Sequence, residues 1–312
     1  AKRSYHAFVQ IAWNEFDPKP FVDNWHIKLL CDEIEAMVRG KPPEDGTLIN
    51  VPPGFGKSML SSVFLVPWLW AAVDPAYSVL CTTYAAEFSF RDSRKSRDII
   101  ASAWYQDRWG DRVKLKQDAV TKYTNTAGGW RLATSVEGQG TGEHPRLIVA
   151  DDLHKARSAN SQADKETVID YWDGTISTRG LIHGSKRLVI GQRISQGDIF
   201  DHLKEQGGYR VVNLPMESQP DERHPNDPRT GNGELLWPEV FTPEMVAGLK
   251  LRLGSRAAAQ LQQRPAPASG IVFDSRKFNY FTVEDGRVLL RYRSGREAKA
   301  FKFDECYWFQ TV

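Results

Sequence analysis

The central motif of this 312-residue sequence is Val51-Pro52-Pro53-Gly54-Phe55-Gly56-Lys57-Ser58, which follows Leu48-Ile49-Asn50 and leads into Met59-Leu60-Ser61-Ser62-Val63-Phe64. A buried strand, a tight Gly/Pro turn, Gly-Lys-Ser and then a helix are the parts of a phosphate-binding loop. The full pattern G-x-x-x-x-G-K-[ST] has glycine where Val51 stands. A glycine-rich turn with an unrelated lysine is therefore the alternative interpretation.

Each part of this loop has a predicted chemical role. Gly54 and Gly56 allow backbone N–H groups to turn toward a β-phosphate at a helix N-terminus, where an anion is favoured. Lys57 adds a positive charge for the β- and γ-phosphates, and the Ser58 hydroxyl can ligate Mg²⁺. The apolar run 59–73 is then the buried helix that follows the loop, and it is too short to span a bilayer.

The composition is that of an ordinary globular protein, with 41% hydrophobic and 26% charged residues and a formal net charge of +2. This charge indicates no global positive field, so DNA binding would need a local patch. Cys31, Cys81 and Cys306 are far apart and odd in number. They fit a reducing cytosol and indicate neither a disulfide framework nor a metal cluster. The first residues lack the apolar core of a signal peptide, and we expect no membrane association.

Apolar or β-branched runs alternate with helical or loop segments along the chain. This alternation predicts an α/β fold with a mostly parallel sheet covered by helices on both faces. The predicted strands are 47–51, 77–83, 130–134, 146–150, 187–190 and 209–214.

The remaining segments follow from local signals. We predict helices at 88–103, 164–176 and 241–263, the last with Thr242 as N-cap and Pro243 at its first position. The stretch 220–232 is predicted to be a solvated loop. A linker is predicted at 264–270, followed by strand-like runs at 287–292 and 307–312.

The apolar run Leu147-Ile148-Val149-Ala150 is predicted to be a strand, and it ends in the two carboxylates Asp151 and Asp152. This pattern predicts the second half of an ATPase site. In phosphate-loop enzymes the first such acid holds the Mg²⁺ shell and the next orients the attacking water. Asp151 is therefore the metal candidate and Asp152 the candidate base, although most such enzymes carry glutamate at the second position. An Asp-Asp turn that merely caps a strand is the alternative.

Another predicted strand, 187–190, ends in Gly191-Gln192-Arg193. Polar groups at the carboxyl ends of parallel strands converge on the ligand crevice. Gln192 or Arg193 is thus a candidate sensor of the γ-phosphate, with a surface Gln-Arg pair in a loop as an equally compatible interpretation.

Together these segments resemble one family, the large terminase subunit of tailed bacteriophages, the motor that pumps DNA into a preformed capsid. The resemblance depends on the order and spacing of several motifs, of which the loop carries Pro-Pro in place of the usual glycine. The motifs are Phe21-Val22-Asp23-Asn24-Trp25-His26, the loop 50–58, Cys81-Thr82-Thr83-Tyr84, Ala133-Thr134-Ser135-Val136-Glu137-Gly138, Thr141-Gly142, Asp151-Asp152-Leu153-His154-Lys155, Gly191-Gln192-Arg193, Leu236-Trp237-Pro238-Glu239 and Gln260-Leu261-Gln262-Gln263-Arg264-Pro265.

The resemblance implies an ATPase core with a small lid, followed by a ribonuclease-H-like nuclease domain that cuts DNA with two metals. We place the core at 1–199, the lid at 200–263, and a linker with the start of the nuclease domain at 264–312. The run 307–312 resembles the first nuclease strand, after which the metal-binding aspartate would come. The expectation is therefore an ATPase whose parent protein is also an endonuclease, with the nuclease site absent from this chain.

The resemblance also assigns site residues, with ATP and Mg²⁺ as cofactors. Ser58 and Asp151 would hold Mg²⁺, and Asp152 would activate water. Trp25 and His26 lie where the family contacts adenine, although core packing of an N-terminal helix would explain them as well. The residues implied to bind the nucleotide phosphates are Pro53, Gly54, Phe55, Gly56, Lys57 and Ser58.

Two arginine positions depart from the family. Many members carry an arginine inside the loop, where this chain has Gly54-Phe55. Some supply an arginine finger to the neighbouring subunit at the position of Thr141. Such an arginine stabilises charge in the phosphoryl-transfer transition state. The unranked candidates for this role are Arg131, Arg146, Arg157 and Arg179.

The resemblance implies several partners: double-stranded DNA gripped without sequence preference, a portal protein, a small terminase subunit and other copies of the chain in a ring. The isolated chain is expected to be a monomer. The implied location is the host cell cytoplasm, with transient docking on the procapsid. The densest basic cluster lies at 90–97, and a second group comprises Lys114, Lys116 and Lys122; ordinary solvated helix faces are the alternative for both.

Other functions stay open from the residues alone. A helicase-like remodelling ATPase would suit Thr82-Thr83-Tyr84 and the paired acids, but it would need a second core. A docking or scaffold module with an inactive phosphate loop is a third hypothesis, which is disfavoured by the intact residues Lys57, Ser58, Asp151 and Asp152. A nucleotide kinase is disfavoured because no phosphoryl-acceptor site is evident.

Overall fold

The computed structural model describes residues 4–40, 46–138, 142–158, 161–179, 185–266, 280–285, 287–291 and 299–305. The chain divides into two units, Ala1–Pro265 and Ala266–Val312. Cys306, Thr141, most of the predicted linker and the predicted strand 307–312 lie outside the described residues. Within the described part, Cys31 and Cys81 are buried free thiols.

The first unit is organised by a central sheet. Its strands are β1 Gly46–Asn50, β2 Ser78–Thr83, β3 Leu115–Asp118, β4 Lys122–Asn125, β5 Trp130–Ser135, β6 Leu147–Asp151, β7 Lys186–Gly191 and β8 Tyr209–Asn213. Their order across the sheet is β3-β4-β5-β2-β6-β7-β1-β8. Strands β5, β2, β6, β7, β1 and β8 pair in parallel, whereas β3 and β4 add antiparallel at one edge. The predicted mostly parallel sheet is confirmed.

Successive side chains of the parallel strands pack alternately into two buried cores, one on each face of the sheet. Ile49, Val79 and Val149 face a core on one side of the sheet, and their neighbours Leu48 and Leu80 face a second core on the other side. Since successive side chains of a strand point to opposite faces, burial at every position of β1, β2 and β6 implies that both faces are covered. The six predicted strands match within two residues at each end. Strands β3 and β4 were not predicted, because each is only four residues long and mostly polar.

Helices cover both faces of this sheet. Helix α2 contacts β1 and β7, and α4 contacts β2 and β5, while residues of α6 and α8 enter the second core. The helix bounds are α1 Tyr5–Phe16, α2 Trp25–Arg39, α3 Leu65–Trp68, α4 Ala86–Ala101, α5 Ala103–Trp109, α6 Gln162–Tyr171, α7 Ser177–Arg179, α8 Ile199–Gln206, α9 Pro243–Leu253 and α10 Ala257–Gln260.

The predicted helices are present with shifted ends. The segment after the loop consists of α3 between two π-helical turns, Met59–Val63 and Leu69–Val73. The predicted helix 241–263 begins as expected, because Thr242 Oγ1 accepts a hydrogen bond from the Met245 N–H at 3.3 Å. It ends at Leu253, where Gly254 has a positive φ of 55°.

The prediction of a fully solvated loop at 220–232 is wrong for two residues. Asp227 and Arg229 are buried and form a two-point ion pair, with Arg229 Nη2 2.8 Å from Asp227 Oδ2. Arg229 also donates to the Pro215 carbonyl at 3.1 Å, and its guanidinium carbon lies 5.4 Å from the Trp25 ring centre. Buried charges are paired and hydrogen-bonded in this way because an isolated charge is costly to bury.

The second unit contains a three-stranded antiparallel sheet. Its strands are β9 Tyr280–Glu284, β10 Arg287–Arg291 and β11 Lys299–Lys302, in the order β11-β10-β9. Strand β10 matches the predicted run 287–292 as far as residue 291. In the described residues, no helix has the length and apolar character needed to cross a membrane.

The predicted boundaries 1–199, 200–263 and 264–312 stay predictions. Strand β8, inside the predicted lid range, pairs in parallel with β1 of the central sheet. The division between the two units falls after Pro265, close to the predicted end of the lid.

Candidate functional site

The predicted phosphate-binding loop, 51–58, connects β1 to the buried helical segment at the carboxyl edge of the sheet. The Val51 N–H donates to the Gly191 carbonyl at 3.1 Å, which ties the start of the loop to the end of β7. Gly54 and Gly56 have φ values of +89° and +77°. These left-handed conformations cost little only for glycine, which explains both glycines of the motif.

The side chain of Lys57 extends from the loop toward Asp152, which follows β6. Lys57 is only 5% exposed, and its Nζ lies 4.0 Å from Asp152 Oδ2. It also donates to the carbonyls of Pro52 at 3.0 Å and Val51 at 3.3 Å. The loop thus holds an ammonium group between its own carbonyls and the carboxylates at the end of β6.

Asp151 is a buried carboxylate with an unused oxygen. Its Oδ2 accepts a hydrogen bond from Ser62 Oγ at 3.2 Å, whereas Oδ1 has no hydrogen-bond partner among the described residues. Burial, and then the charge of Asp152, raise the pKa of Asp151 to about 7; the Ser58 hydroxyl and Lys57 act in the opposite direction. A cation beside this carboxylate would favour its charged form.

These groups fit Mg²⁺. The ion prefers hard oxygen ligands and usually takes only one or two carboxylates from the protein, with phosphates and waters completing its octahedron. Asp151 and the Ser58 hydroxyl offer such oxygens on one side of the loop. Among the described residues, no cluster of three or more His, Cys, Asp or Glu side chains could hold a metal by itself.

Asp152 follows β6 in a left-handed backbone conformation, with φ at +45°. Its carboxylate is 34% exposed, and Oδ1 accepts a hydrogen bond from the Gln192 N–H at 3.2 Å. A non-glycine residue in this conformation is uncommon outside functional sites and turns. The bond from Gln192, the residue after β7, holds the carboxylate toward the loop, where its other oxygen, Oδ2, lies 4.0 Å from Lys57 Nζ.

A cleft of about 790 Å³ opens at the loop. Its floor contains Lys57, Ser58 and Asp152, and the aromatic side chains of Phe21 and Trp237 contribute to its walls. A smaller cavity of about 280 Å³ contains Asp151 and Gln192 and also includes Ser58 and Asp152 in its lining. Clefts of this size, apolar with a few convergent polar groups, are typical of small-molecule sites.

Aromatic rings form the back of the loop. The Phe55 ring is buried and stacks on Phe241, with ring centres 4.7 Å apart and planes at 8°. The Phe241 ring leaves no room at Gly54, because a Cβ there would lie 2.9 Å from Phe241 Cζ. The Phe55 side chain therefore belongs to the core. If Phe55 contacts a nucleotide as predicted, it would do so through its backbone.

The two residues predicted to contact adenine differ in their surroundings. His26 is buried and packs between Phe55, at 5.3 Å between ring centres, and Trp237, at 4.9 Å. Burial, and then the Arg229 charge, lower its pKa to about 3. Core packing is thus what the structure shows for His26, while Trp25 lies under Arg229. Neither residue lines the cleft.

The two candidate γ-phosphate sensors are also separated by the structure. Gln192 lines the smaller cavity, and its Oε1 is buried without a hydrogen-bond partner among the described residues. The buried Arg193 side chain instead pairs with Asp198, 3.0 Å from Nε, and with Asp201. The structure therefore does not bring Arg193 to the phosphate loop, because the start of α8 holds its guanidinium.

The four arginine-finger candidates differ in burial and in their partners. Arg131 is fully buried, so it cannot reach a neighbouring subunit, and this candidate is wrong. Arg146 pairs with Asp74 and lies 4.1 Å from the Tyr77 ring centre, at the amino end of β6. Arg157 is exposed shortly after the paired acids and stays a candidate, as does the half-buried Arg179.

Substituting the two loop glycines should separate steric from backbone effects. Gly54→Ala and Gly56→Ala both place a side chain at positive φ, which costs about 1–2 kcal/mol. Only Gly54→Ala also displaces Phe241, so we expect it to lower the free energy of unfolding by about 1–3 kcal/mol more than Gly56→Ala. Denaturant unfolding of both variants is the measurement. Gly54→Ala with Phe241→Leu should recover the steric part, and equal losses in the single variants would contradict the contact.

The Arg193 ion pair should be structural. Asp198→Ala leaves a buried guanidinium without its main partner, and we expect a loss of about 3–5 kcal/mol in unfolding free energy. Asp201→Ala removes a partly exposed partner of the same arginine and should cost about 1 kcal/mol or less. Urea unfolding of the two variants tests this difference. Similar small losses would mean that Arg193 is free for another role.

Protonation of His26 should destabilise the fold in acid. Its folded pKa of about 3 lies below the unfolded value near 6.5, so its contribution is complete above pH 6.5 and is lost as the pH falls toward 3. Between pH 7 and pH 5 the loss is about 2 kcal/mol. Urea unfolding of wild type and His26→Gln at both pH values isolates this contribution, since all other groups titrate in both proteins. An identical pH dependence would contradict the assignment.

Comparison with known proteins supports the fold. No protein-family model and no curated protein matches this sequence. The structure is similar to a mutant of the large terminase ATPase domain of Thermus phage P74-26, with a TM-score of 0.52 and 11% identity over 81% of this chain and 97% of that one. It is also similar to the large terminase of bacteriophage HK97, with a TM-score of 0.53 and 14% identity over 96% of this chain and 67% of that one. The chain therefore has the α/β fold of phage large terminase ATPase domains, as the sequence resemblance predicted.

Proposed function

We propose that this chain is the ATP-hydrolysing motor domain of a phage large terminase subunit. The observation that carries the proposal is the convergence of the loop and the paired acids, with Lys57 Nζ 4.0 Å from the Asp152 carboxylate. A glycine-rich turn with an unrelated lysine would have no reason to bury that lysine beside two acids. The terminase fold adds the context of a DNA-packaging motor.

In this proposal the loop binds the phosphates of ATP. Backbone N–H groups at Gly54 and Gly56 face the β-phosphate, and Lys57 leaves its loop carbonyls to contact the β- and γ-phosphates. Asp151 and Ser58 would hold Mg²⁺, which would supply positive charge beside the phosphates. The apolar walls of the cleft, including Phe21 and Trp237, would surround the base.

Asp152 is the proposed base of hydrolysis. Its carboxylate faces the mouth of the loop, is partly exposed and is oriented by the Gln192 N–H. It would accept a proton from a water positioned for in-line attack on the γ-phosphorus. An aspartate is shorter than the usual glutamate, but its Oδ2 here already lies 4.0 Å from Lys57 Nζ.

We further propose that hydrolysis drives double-stranded DNA into a procapsid in the host cytoplasm, with copies of the chain in a ring on a portal protein and a small terminase subunit as partner. A neighbour's arginine would complete each site, and exposed Arg157 is the candidate that the geometry favours. The parent protein would also carry a nuclease. Arg94 and Lys95 are exposed on α4 and stay candidates for contacts to DNA phosphates.

The first test is ATP hydrolysis at increasing protein concentration, with and without duplex DNA. Lys57→Ala and Asp152→Ala should each lower kcat by at least about 100-fold, because each removes a group that acts on the phosphoryl-transfer step. Lys95→Ala, which removes an exposed lysine away from the cleft, is the matched control and should keep its activity without DNA.

The outcomes distinguish the candidate functions. A specific activity that rises with protein concentration and disappears in both site variants would support a motor completed by its neighbours. Nucleotide binding without hydrolysis under every condition would limit the chain to a nucleotide-responsive module. Absence of nucleotide binding would contradict the proposal and favour a docking module.

A further inference from the structure

One arginine of the predicted DNA-binding cluster lies at the candidate nucleotide site. Arg91, on α4, lines both the large cleft at the loop and the smaller cavity at the strand ends. Ser58 and Asp152 line the same two cavities. Of the described residues around these cavities, Arg91 is the one arginine, and it lies where they meet.

The guanidinium of Arg91 is held in place by its neighbour. Its Nε lies 2.8 Å from Asp92 Oδ1 and its Nη2 3.1 Å from Asp92 Oδ2, and its central carbon lies 5.2 Å from the Phe88 ring centre. The Asp92 side chain is 3% exposed, whereas that of Arg91 is 49% exposed. A buried carboxylate thus anchors one edge of the guanidinium, and the other edge remains available toward the cavities.

This arrangement suits an anion. A guanidinium has five N–H donors in a rigid plane, and the pair with Asp92 uses two of them. Fixing its orientation beforehand lowers the entropy lost when the remaining donors bind a ligand.

The charges at the site also call for a second cation. Among the described residues that line the two cavities, Lys57 is the lysine that lies near the paired acids. Its Nζ is 4.0 Å from Asp152 Oδ2. A nucleotide triphosphate brings several negative charges beside two carboxylates. Arg91 would add the positive charge at the end of the phosphate chain farthest from the loop backbone.

We propose that Arg91 binds the terminal phosphate of ATP in its own subunit and so distinguishes ATP from ADP. This assignment rests on the proposed function, because it requires that the loop bind a nucleotide. It differs from the arginine finger, which a neighbouring subunit would supply, and from the DNA contact predicted for this helix. Its chemistry is charge-assisted hydrogen bonding to phosphate oxygens.

The test compares binding of ATPγS and ADP to the full chain with Mg²⁺ present. Arg91→Gln should weaken ATPγS binding by about 10- to 100-fold, as expected when hydrogen bonds to a charged group are lost, and should change ADP binding by less than about threefold. Arg91→Lys should recover part of the loss, since lysine keeps the charge without the planar two-edge geometry. Arg94→Gln is the matched control on the exposed face of α4 and should bind both nucleotides as wild type does.

Arg91→Gln also removes the partner of a buried carboxylate, so the fold needs its own check. The double variant Arg91→Gln with Asp92→Asn replaces the ion pair by two neutral amides and should show the same selective loss of ATPγS. Unchanged ADP binding in either variant demonstrates an intact loop.

Three results would overturn the assignment. Equal weakening of ATPγS and ADP would mean a structural role, and unchanged binding of both would mean that Arg91 does not reach the phosphates. If Arg91→Gln abolished only the stimulation of hydrolysis by DNA, we would assign Arg91 to DNA binding instead. A wild-type chain that binds neither nucleotide would overturn the proposed function itself, which distinguishes that failure from a failure at Arg91.

Discussion

The candidate site depends on the parallel pairing of β7 between β1 and β6. Asn50 at the end of β1 lies opposite Gly191, and Asp151 at the end of β6 lies opposite Ile190. The loop and the paired acids therefore leave the sheet at the same edge, separated by about two strand spacings of 4.8 Å. The Lys57 side chain spans that gap and reaches Asp152. A different strand order would separate the same residues.

Burial leaves charged and polar groups at this edge with few partners. Lys57 and Asp151 are both nearly inaccessible, and taking their charges out of water is costly unless they are paired or bind a ligand. The pairing in the structure is incomplete, since Asp151 Oδ1 and Gln192 Oε1 are buried without partners among the described residues. Buried polar groups are nearly always satisfied, so two acceptor oxygens without partners in a cavity fit a bound metal ion or its water ligands.

Aromatic packing connects the loop to the segment before α9. Phe55 stacks on Phe241, while His26 contacts Phe55 and Trp237. Trp237 also lines the cleft, so one side chain contacts both the core and the space proposed for the nucleotide. A change in the loop that accompanies binding or release of nucleotide would therefore act directly on the residues that lead into α9.

The sequence by itself determined the parallel strands of the central sheet, the loop and the paired acids. Continuous apolar runs are typical of strands buried on both faces, and glycines mark a turn that needs positive φ. Only the tertiary structure decided the roles of the arginines. Arg131 is buried, Arg193 is paired at the start of α8, and Arg91 lines the cleft. A long charged side chain has no local signature of its partners, because these come from distant strands and helices that meet only in the folded chain.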